Sequence, residues 1–208
     1  MVRAVFFWVS VVVVLTFIAP HTGTAGPLTD QVHESIDTVL KVVSDPELKK
    51  DARTTERRRM IRQVAADLFD FTEISQRSLG THWRARTPAE REQFITLFGD
   101  LLEYAYISKI ETYSGETIKY LGEAVDGQQA VVKTRIVTKQ GTEIPVDYRM
   151  MQNGNRWLVY DVTIEGVSLV SNYRSQFNAV IQRSGYPDLV AKLKAKQVER
   201  PASQRASP

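Results

Sequence analysis

Residues 160–170 read Tyr160-Asp161-Val162-Thr163-Ile164-Glu165-Gly166-Val167-Ser168-Leu169-Val170. The alternation up to Ile164 predicts the end of a β-strand, Gly166 predicts a turn, and Leu169 begins the apolar stripe of a helix. A strand that runs directly into a helix with an apolar face can close one wall of a cavity. Glu165 and Ser168 flank the start of this helix, and we interpret both as capping residues rather than as catalytic groups.

The chain before this segment is rich in β-branched and aromatic residues with a period of two, which predicts strands. The predicted strands are Thr117–Leu121, Ala130–Lys139, Glu143–Gln152 and Arg156–Ile164. Short turns at Asp126-Gly127, Gln140-Gly141 and Asn153-Gly154 separate them, so we predict an antiparallel meander of four strands. Ile144, Val146, Tyr148 and Met150 share its predicted inner face.

Helical periodicity occurs on both sides of these strands. Before them it covers residues 28–43, 60–68 and 69–79, and a long helix begins at Thr87-Pro88-Ala89-Glu90, which has the pattern of a capping box. After them it covers residues 169–181 and a last helix from Pro187. The predicted fold is therefore α+β, with a four-stranded antiparallel sheet covered on one face by helices.

The long helix is apolar over much of its circumference, with Phe94, Phe98, Leu102 and Tyr106 on one stripe. Such a stripe is typical of ordinary core packing, and it also fits the wall of a cavity for an apolar ligand. The sequence leaves both interpretations open.

The first residues have the pattern of a secretory signal. Arg3 precedes an uncharged run from Ala4 to Ala19, and Gly23-Thr24-Ala25 predicts cleavage after Ala25. A membrane anchor is the alternative, but the run is shorter than the about 20 apolar residues that span a bilayer. We therefore predict a cleaved signal peptide over residues 1–25, one exported domain over 26–196 and a disordered polar tail over 197–208.

The composition offers little chemistry. The chain has no cysteine, three histidines without ligand spacing and a net charge of +3, so we expect no metal site and no nucleic-acid partner. Asp147 and Asp161 could form a catalytic carboxylate pair, but strand carboxylates are more often solvated. The run Arg57-Arg58-Arg59 is interpreted as a solvated helix face, with a docking patch for an acidic partner or lipid headgroups as the alternative.

Three segments carry a family resemblance over about residues 28–196. They are Leu79-Gly80-Thr81-His82-Trp83-Arg84 with Thr87 to Phe94, then Ile144-Pro145-Val146-Asp147-Tyr148-Arg149-Met150, and Tyr160-Asp161-Val162 with Glu165-Gly166-Val167-Ser168. In these segments the chain resembles the MlaC family, the toluene-tolerance periplasmic auxiliary proteins of an ABC lipid-transport system. The polar extension after Gln197 is the one departure.

The resemblance implies a soluble periplasmic phospholipid carrier with an NTF2-like fold, a deep apolar pocket and no catalytic activity. It implies a diacyl phospholipid as cargo, with no cofactor. The implied partners are an inner-membrane ABC transporter with a lipid-binding hexameric subunit and an outer-membrane lipoprotein–porin complex, and the implied role is to maintain outer-membrane lipid asymmetry. We expect a monomer.

We predict that twelve residues line the pocket, taken from the inner strand face and the apolar helix stripes. They are Phe98, Leu102, Tyr106, Val132, Ile136, Val146, Tyr148, Trp157, Val159, Val167, Leu169 and Tyr173. Two other functions remain open at this point. An NTF2-like enzyme acting on an apolar substrate would need Asp147 or Asp161 inside the cavity, and a periplasmic chaperone or adaptor would need an exposed apolar groove or sheet edge.

Overall fold

A computed structural model describes residues 26–198. The predicted signal peptide and residues 199–208 of the predicted tail lie outside the described residues. The helices and strands, in chain order, are α1 Pro27–Ser44, α2 Thr54–Leu68, α3 Phe71–Leu79, α4 Pro88–Glu111, β1 Thr117–Asp126, β2 Gln129–Val137, β3 Glu143–Asn153, β4 Arg156–Ile164, β5 Val167–Ser168, α5 Leu169–Ser184 and α6 Tyr186–Val198. Two short 3₁₀ turns, Asp51–Arg53 and Gly80–Trp83, precede α2 and follow α3.

The strands form one antiparallel sheet in the order β1-β2-β3-β4-β5, which confirms the α+β class and the meander. The sheet has five strands where the sequence predicted four. The difference lies at Glu165 and Gly166, whose φ angles of 50° and 81° form a tight reversal. This turn brings Val167 back to pair with Ile164 before α5 begins. Gly166 therefore closes a small hairpin and does not lead straight into the helix, and Glu165 is a turn residue rather than a cap.

A β-bulge in β4 decides which side chains reach the interior. Arg149 pairs with Asp161 while Met150 pairs with Val159, so Tyr160 is the extra residue. A bulge shifts the alternation of side-chain direction by one residue. The inward-facing residues of β4 are therefore odd-numbered before Tyr160 and even-numbered after it. Val159 consequently shares the inner face with Met150, whereas Asp161 lies opposite Arg149.

Side-chain caps fix the starts of two helices at the predicted positions. Thr87 accepts a hydrogen bond from the Glu90 backbone N–H, and the Glu90 side chain accepts one from Thr87 in return, which confirms the capping box of α4. Ser168 accepts from the Ser171 N–H at the start of α5. Both caps satisfy amides that have no partner within their own helix.

The buried apolar residues form three groups. The helical cluster joins α3, α4, α5 and α6, and includes Phe94, Phe98, Val170, Phe177 and Leu189. The sheet cluster joins α1 and the end of α2 to the inner sheet face, and includes Leu28, Val32, Val132, Met150 and Val159. The end cluster joins the end of α1 to α2 and the end of α4, and includes Val42, Val43, Ile61 and Ile107.

The arginine run is not the solvated helix face that the sequence predicted. Arg57 and Arg58 leave α2 to bind Glu111 at the last turn of α4, with nitrogen–oxygen distances of 2.7 and 2.6 Å. The three side chains are only 11–14% exposed. Arg59 alone is exposed. The run therefore joins two helices, because its counter-charge comes from a distant part of the chain.

Candidate functional site

The predicted pocket residues lie on two walls. On the sheet, Val132, Val146 and Val159 are buried, and Tyr148 and Trp157 are partly buried in the sheet cluster. Ile136 is partly buried on the same strand as Val132.

On the helices, Phe98 and Leu102 are buried, and Tyr106, Leu169 and Tyr173 pack against the same helical cluster. Val167 differs from the other eleven residues, because it is 61% exposed in the edge strand β5. The hairpin at Gly166 places it at the surface, which sequence periodicity could not reveal.

Four aromatic rings join α4 to α5 and form the centre of the helical wall. The centroid of Phe98 lies 5.0 Å from those of both Tyr173 and Phe177. Phe94 lies 5.6 Å from Phe98 and from Phe177. Three of these four pairs are edge-to-face, a geometry that contributes beyond the buried area, so the rings form a closely packed part of the core.

Three partly buried tyrosines border the interior. Burial raises the pKa of Tyr148 to about 12, although its side chain keeps some accessible surface. Burial also raises the pKa of Tyr106 and of Tyr173. The three pKa values share one main cause, because burial disfavours the charged phenolate.

Phe69 is the residue that the sequence analysis missed. It packs against both the helical cluster and the sheet cluster, and it forms an isolated parallel bridge with Val159. The adjacent Asp70 N–H donates to the Val159 carbonyl at 2.9 Å. The sequence offers only the short break between α2 and α3 at Phe69-Asp70. Nothing in that break indicates that it pairs with β4.

The two carboxylates considered for catalysis have other surroundings. Asp161 accepts from the Ser168 hydroxyl at 2.6 Å and from the Val170 N–H at 3.0 Å, so both of its oxygens hold the start of α5. Asp147 alternates with the inner residues Val146 and Tyr148, and it pairs in register with Lys133. Neither carboxylate lies on the inner sheet face.

Within residues 26–198, no group of three or more His, Asp or Glu side chains could hold a metal ion. A shallow surface cleft lies between α4 and α6, beside Leu97, Leu101 and Leu193. It contains no predicted pocket residue, and it is too shallow to enclose a water-sized molecule. No helix in this range has the length and apolar composition needed to cross a bilayer.

Comparison with known proteins gives consistent matches. The family model of the MlaC protein matches residues 33–195. The chain is 25% identical over 138 residues to the intermembrane phospholipid transport system binding protein MlaC of Haemophilus influenzae, a match that covers 62% of this chain and 64% of that protein. It is 24% identical over 168 residues to the toluene tolerance protein ttg2D of Pseudomonas putida, covering 80% and 74%.

A solved structure also matches. The phospholipid-binding protein from Ralstonia solanacearum, determined in complex with a phospholipid, superposes with a TM-score of 0.72 at 28% identity. The match covers 81% of this chain and 95% of that one. The predicted fold class is thus confirmed both by the element order and by a relative.

Proposed function

The chain belongs to the MlaC family, and we propose that it is a soluble periplasmic carrier of diacyl phospholipid. It receives a lipid from one membrane complex and delivers it to another, which maintains the lipid asymmetry of the outer membrane. Its partners in this proposal are an inner-membrane ABC transporter with a lipid-binding hexameric subunit and an outer-membrane lipoprotein–porin complex. The carrier acts as a monomer and performs no catalysis.

The observation that carries the proposal is the match of residues 33–195 to the MlaC family, and the apolar residues of the sheet and helices are compatible with it. Of the twelve predicted residues, five are buried, six are partly buried and Val167 is exposed. The buried residues form three clusters, and Phe69 packs against two of them. Partly buried tyrosines lie at the margins of two of these clusters, which supports an acyl-chain site between the walls.

The energetics of the cargo explain why such walls are needed. Burying an acyl chain contributes about 0.8 kcal/mol per methylene, so a lipid with roughly 30 tail carbons cannot cross water alone on a useful timescale. A carrier has to replace water along the whole tail. That requirement favours an extended apolar surface with few directional polar contacts, so we expect broad selectivity among diacyl lipids.

The enzymatic alternative depends on the positions of two carboxylates. An NTF2-like enzyme would need a carboxylate inside the cavity, and Asp161 is instead committed to the Ser168 hydroxyl and the Val170 amide. Asp147 follows the outer parity of β3. These positions favour a carrier over a catalyst.

The test is to purify the protein gently, extract it with organic solvent and analyse the extract by mass spectrometry. We expect a diacyl phospholipid in near-stoichiometric amount, and a lipid-free protein would refute the proposal. Val146→Glu, at a position only 5% exposed, should abolish the lipid signal. Val167→Glu is the matched control, because its side chain is 61% exposed and should leave the lipid content unchanged.

Circular dichroism and the unfolding midpoint establish that both variants fold. Equal lipid content in folded Val146→Glu and wild type would remove Val146 from the wall, even if the carrier function stands.

A further inference from the structure

A carboxylate from the sheet lies against the first described residue of the chain. The Glu123 Oε2 atom accepts from the Thr29 N–H at 2.6 Å and from the Thr29 hydroxyl at 2.9 Å. The other oxygen, Oε1, accepts no hydrogen bond from any donor within residues 26–198. Glu123 thus caps α1 through Oε2 from a strand 94 residues away.

Gly26 lies in direct contact with this carboxylate. The three atoms that a side chain at Gly26 would meet first all belong to Glu123, and the carboxyl carbon would be 2.5 Å from an added Cβ. A side chain at Gly26 would therefore require the end of the Glu123 side chain to shift. Because the nitrogen and Cβ of a residue share the same Cα, the Gly26 nitrogen lies within about 5 Å of the Glu123 carboxyl carbon.

An independent feature of the sequence predicts a charge at this position. Gly23-Thr24-Ala25 predicts signal cleavage after Ala25. Cleavage converts the neutral Gly26 amide into an α-ammonium with three donors. We propose that Glu123 is the receptor for this new N-terminus, so that export processing creates an ion pair between Gly26 and Glu123 that fastens α1 onto β1.

The pair has a consequence for the whole inner wall. The N-terminal half of α1 supplies Leu28 and Val32 to the sheet cluster, where they are 5% and 0% exposed. An ammonium at the N-terminus of a helix is opposed by the helix dipole, and the Glu123 charge offsets that repulsion. Asp30, in the first turn of α1, is the other nearby carboxylate, and it is exposed. The unprocessed chain lacks the ammonium and should hold α1 less firmly.

The first experiment measures the acidity of the N-terminus. Residues 26–208 are produced from a cleavable fusion that leaves Gly26 first, and intact mass of the naturally exported protein checks that its chain also begins there. Competitive acetylation at a series of pH values, followed by trypsin and mass spectrometry of residues 26–41, reports the pKa of the α-amino group. An ordinary α-amino group titrates at about 7.7–8.0. We expect a value about one unit higher, which Glu123→Gln returns to the ordinary range and Asp30→Asn changes less.

Glu123 also caps α1 through Thr29, so the second experiment measures the contribution of the ion pair separately from that of the cap. Retaining Ala25 displaces the ammonium by one residue and should lower the Tm by about 2–4 °C. The same extension in the Glu123→Gln background should have almost no effect, because the partner is already absent.

Three results would overturn the inference. They are an exported chain that begins at a residue other than Gly26, an α-amino pKa that Glu123→Gln leaves unchanged, and a retained Ala25 that lowers the Tm equally in the wild-type and Glu123→Gln backgrounds. None of these measurements depends on bound lipid.

Discussion

The buried contact between α2 and α4 gives the sharpest prediction for stability. Glu111 accepts from the Nη2 atoms of Arg57 and Arg58 at 2.7 and 2.6 Å, and from the Nε atom of each at 3.0 Å. Glu111→Gln keeps the shape of the side chain and removes its charge. Two guanidinium groups that are about nine-tenths buried would then lack their counter-charge.

The expected cost follows from this burial. Removing one partner of a buried ion pair costs about 3–5 kcal/mol, because the remaining charge stays desolvated. Glu103 also favours the charged form of Arg58 and remains in the variant, which places the cost near the lower end, at about 3 kcal/mol. For a domain of this size, that corresponds to a fall in Tm of about 6–12 °C.

Urea unfolding measures the difference, with Glu47→Gln as the control. Glu47 binds Lys50 at a similar distance of 2.6 Å, but the two side chains are 71% and 61% exposed. Exposed pairs contribute about 0–1 kcal/mol, so the control should unfold close to wild type. Equal midpoints for the two variants would refute the reasoning that burial, rather than distance, sets the value of the contact.

The pH dependence supplies an independent check with a definite sign. Burial acts against the ionised form of Glu111, but hydrogen bonds from Arg58 and Arg57 outweigh it and hold the pKa of this carboxyl below its ordinary value. A carboxyl whose pKa is lower in the folded state stabilises the folded protein at pH values above its unfolded pKa of about 4.3. That stabilisation is lost as the pH falls through the pKa of the folded state. The stability difference between wild type and Glu111→Gln should be constant above about pH 5 and shrink below it. A difference that does not shrink in acid would contradict the assignment.

Two further predictions concern the segment where β4 leads into α5. Asp161→Asn removes the charge on the side chain that accepts hydrogen bonds from Ser168 and Val170. It should lower the free energy of unfolding in urea by about 1.5–3 kcal/mol and leave the bound phospholipid unchanged. Loss of lipid without loss of stability would instead place Asp161 at the lipid site. Glu165→Gly should raise the free energy of unfolding by about 0.5–1 kcal/mol, because Glu165 has a φ of 50° that glycine adopts without steric cost. Glu165→Ala is the control and should give no gain, and a destabilised Glu165→Gly would show that this turn carries no strain.

The local signals in the sequence were sufficient for most of the secondary structure. The predicted capping box at Thr87 and Glu90 is present, and α4 begins at Pro88. The inner parity of β3 is confirmed, with Val146 and Met150 buried. These features depend on neighbouring residues, and neighbours along the chain are visible in a sequence.

The errors came from contacts between distant residues. The run at Arg57 and Arg58 looked solvated, because its counter-charge Glu111 lies more than 50 positions away. The bulge at Tyr160 is set by pairing with β3, and it moved Asp161 away from the face of Val159. Sequence periodicity treats each segment alone, so it cannot register such shifts.

The sequence by itself determined the order of helices and strands, the antiparallel meander and the family, because each depends on local periodicity, turn residues or spacing along the chain. The tertiary structure decided which face each residue presents and what it contacts. The hairpin at Gly166 placed Val167 at the surface, Phe69 joined the sheet cluster to the helical cluster, and Glu123 met Gly26 across 97 positions of the chain. Such contacts exist only once the chain is folded, because packing and charge pairing act through space.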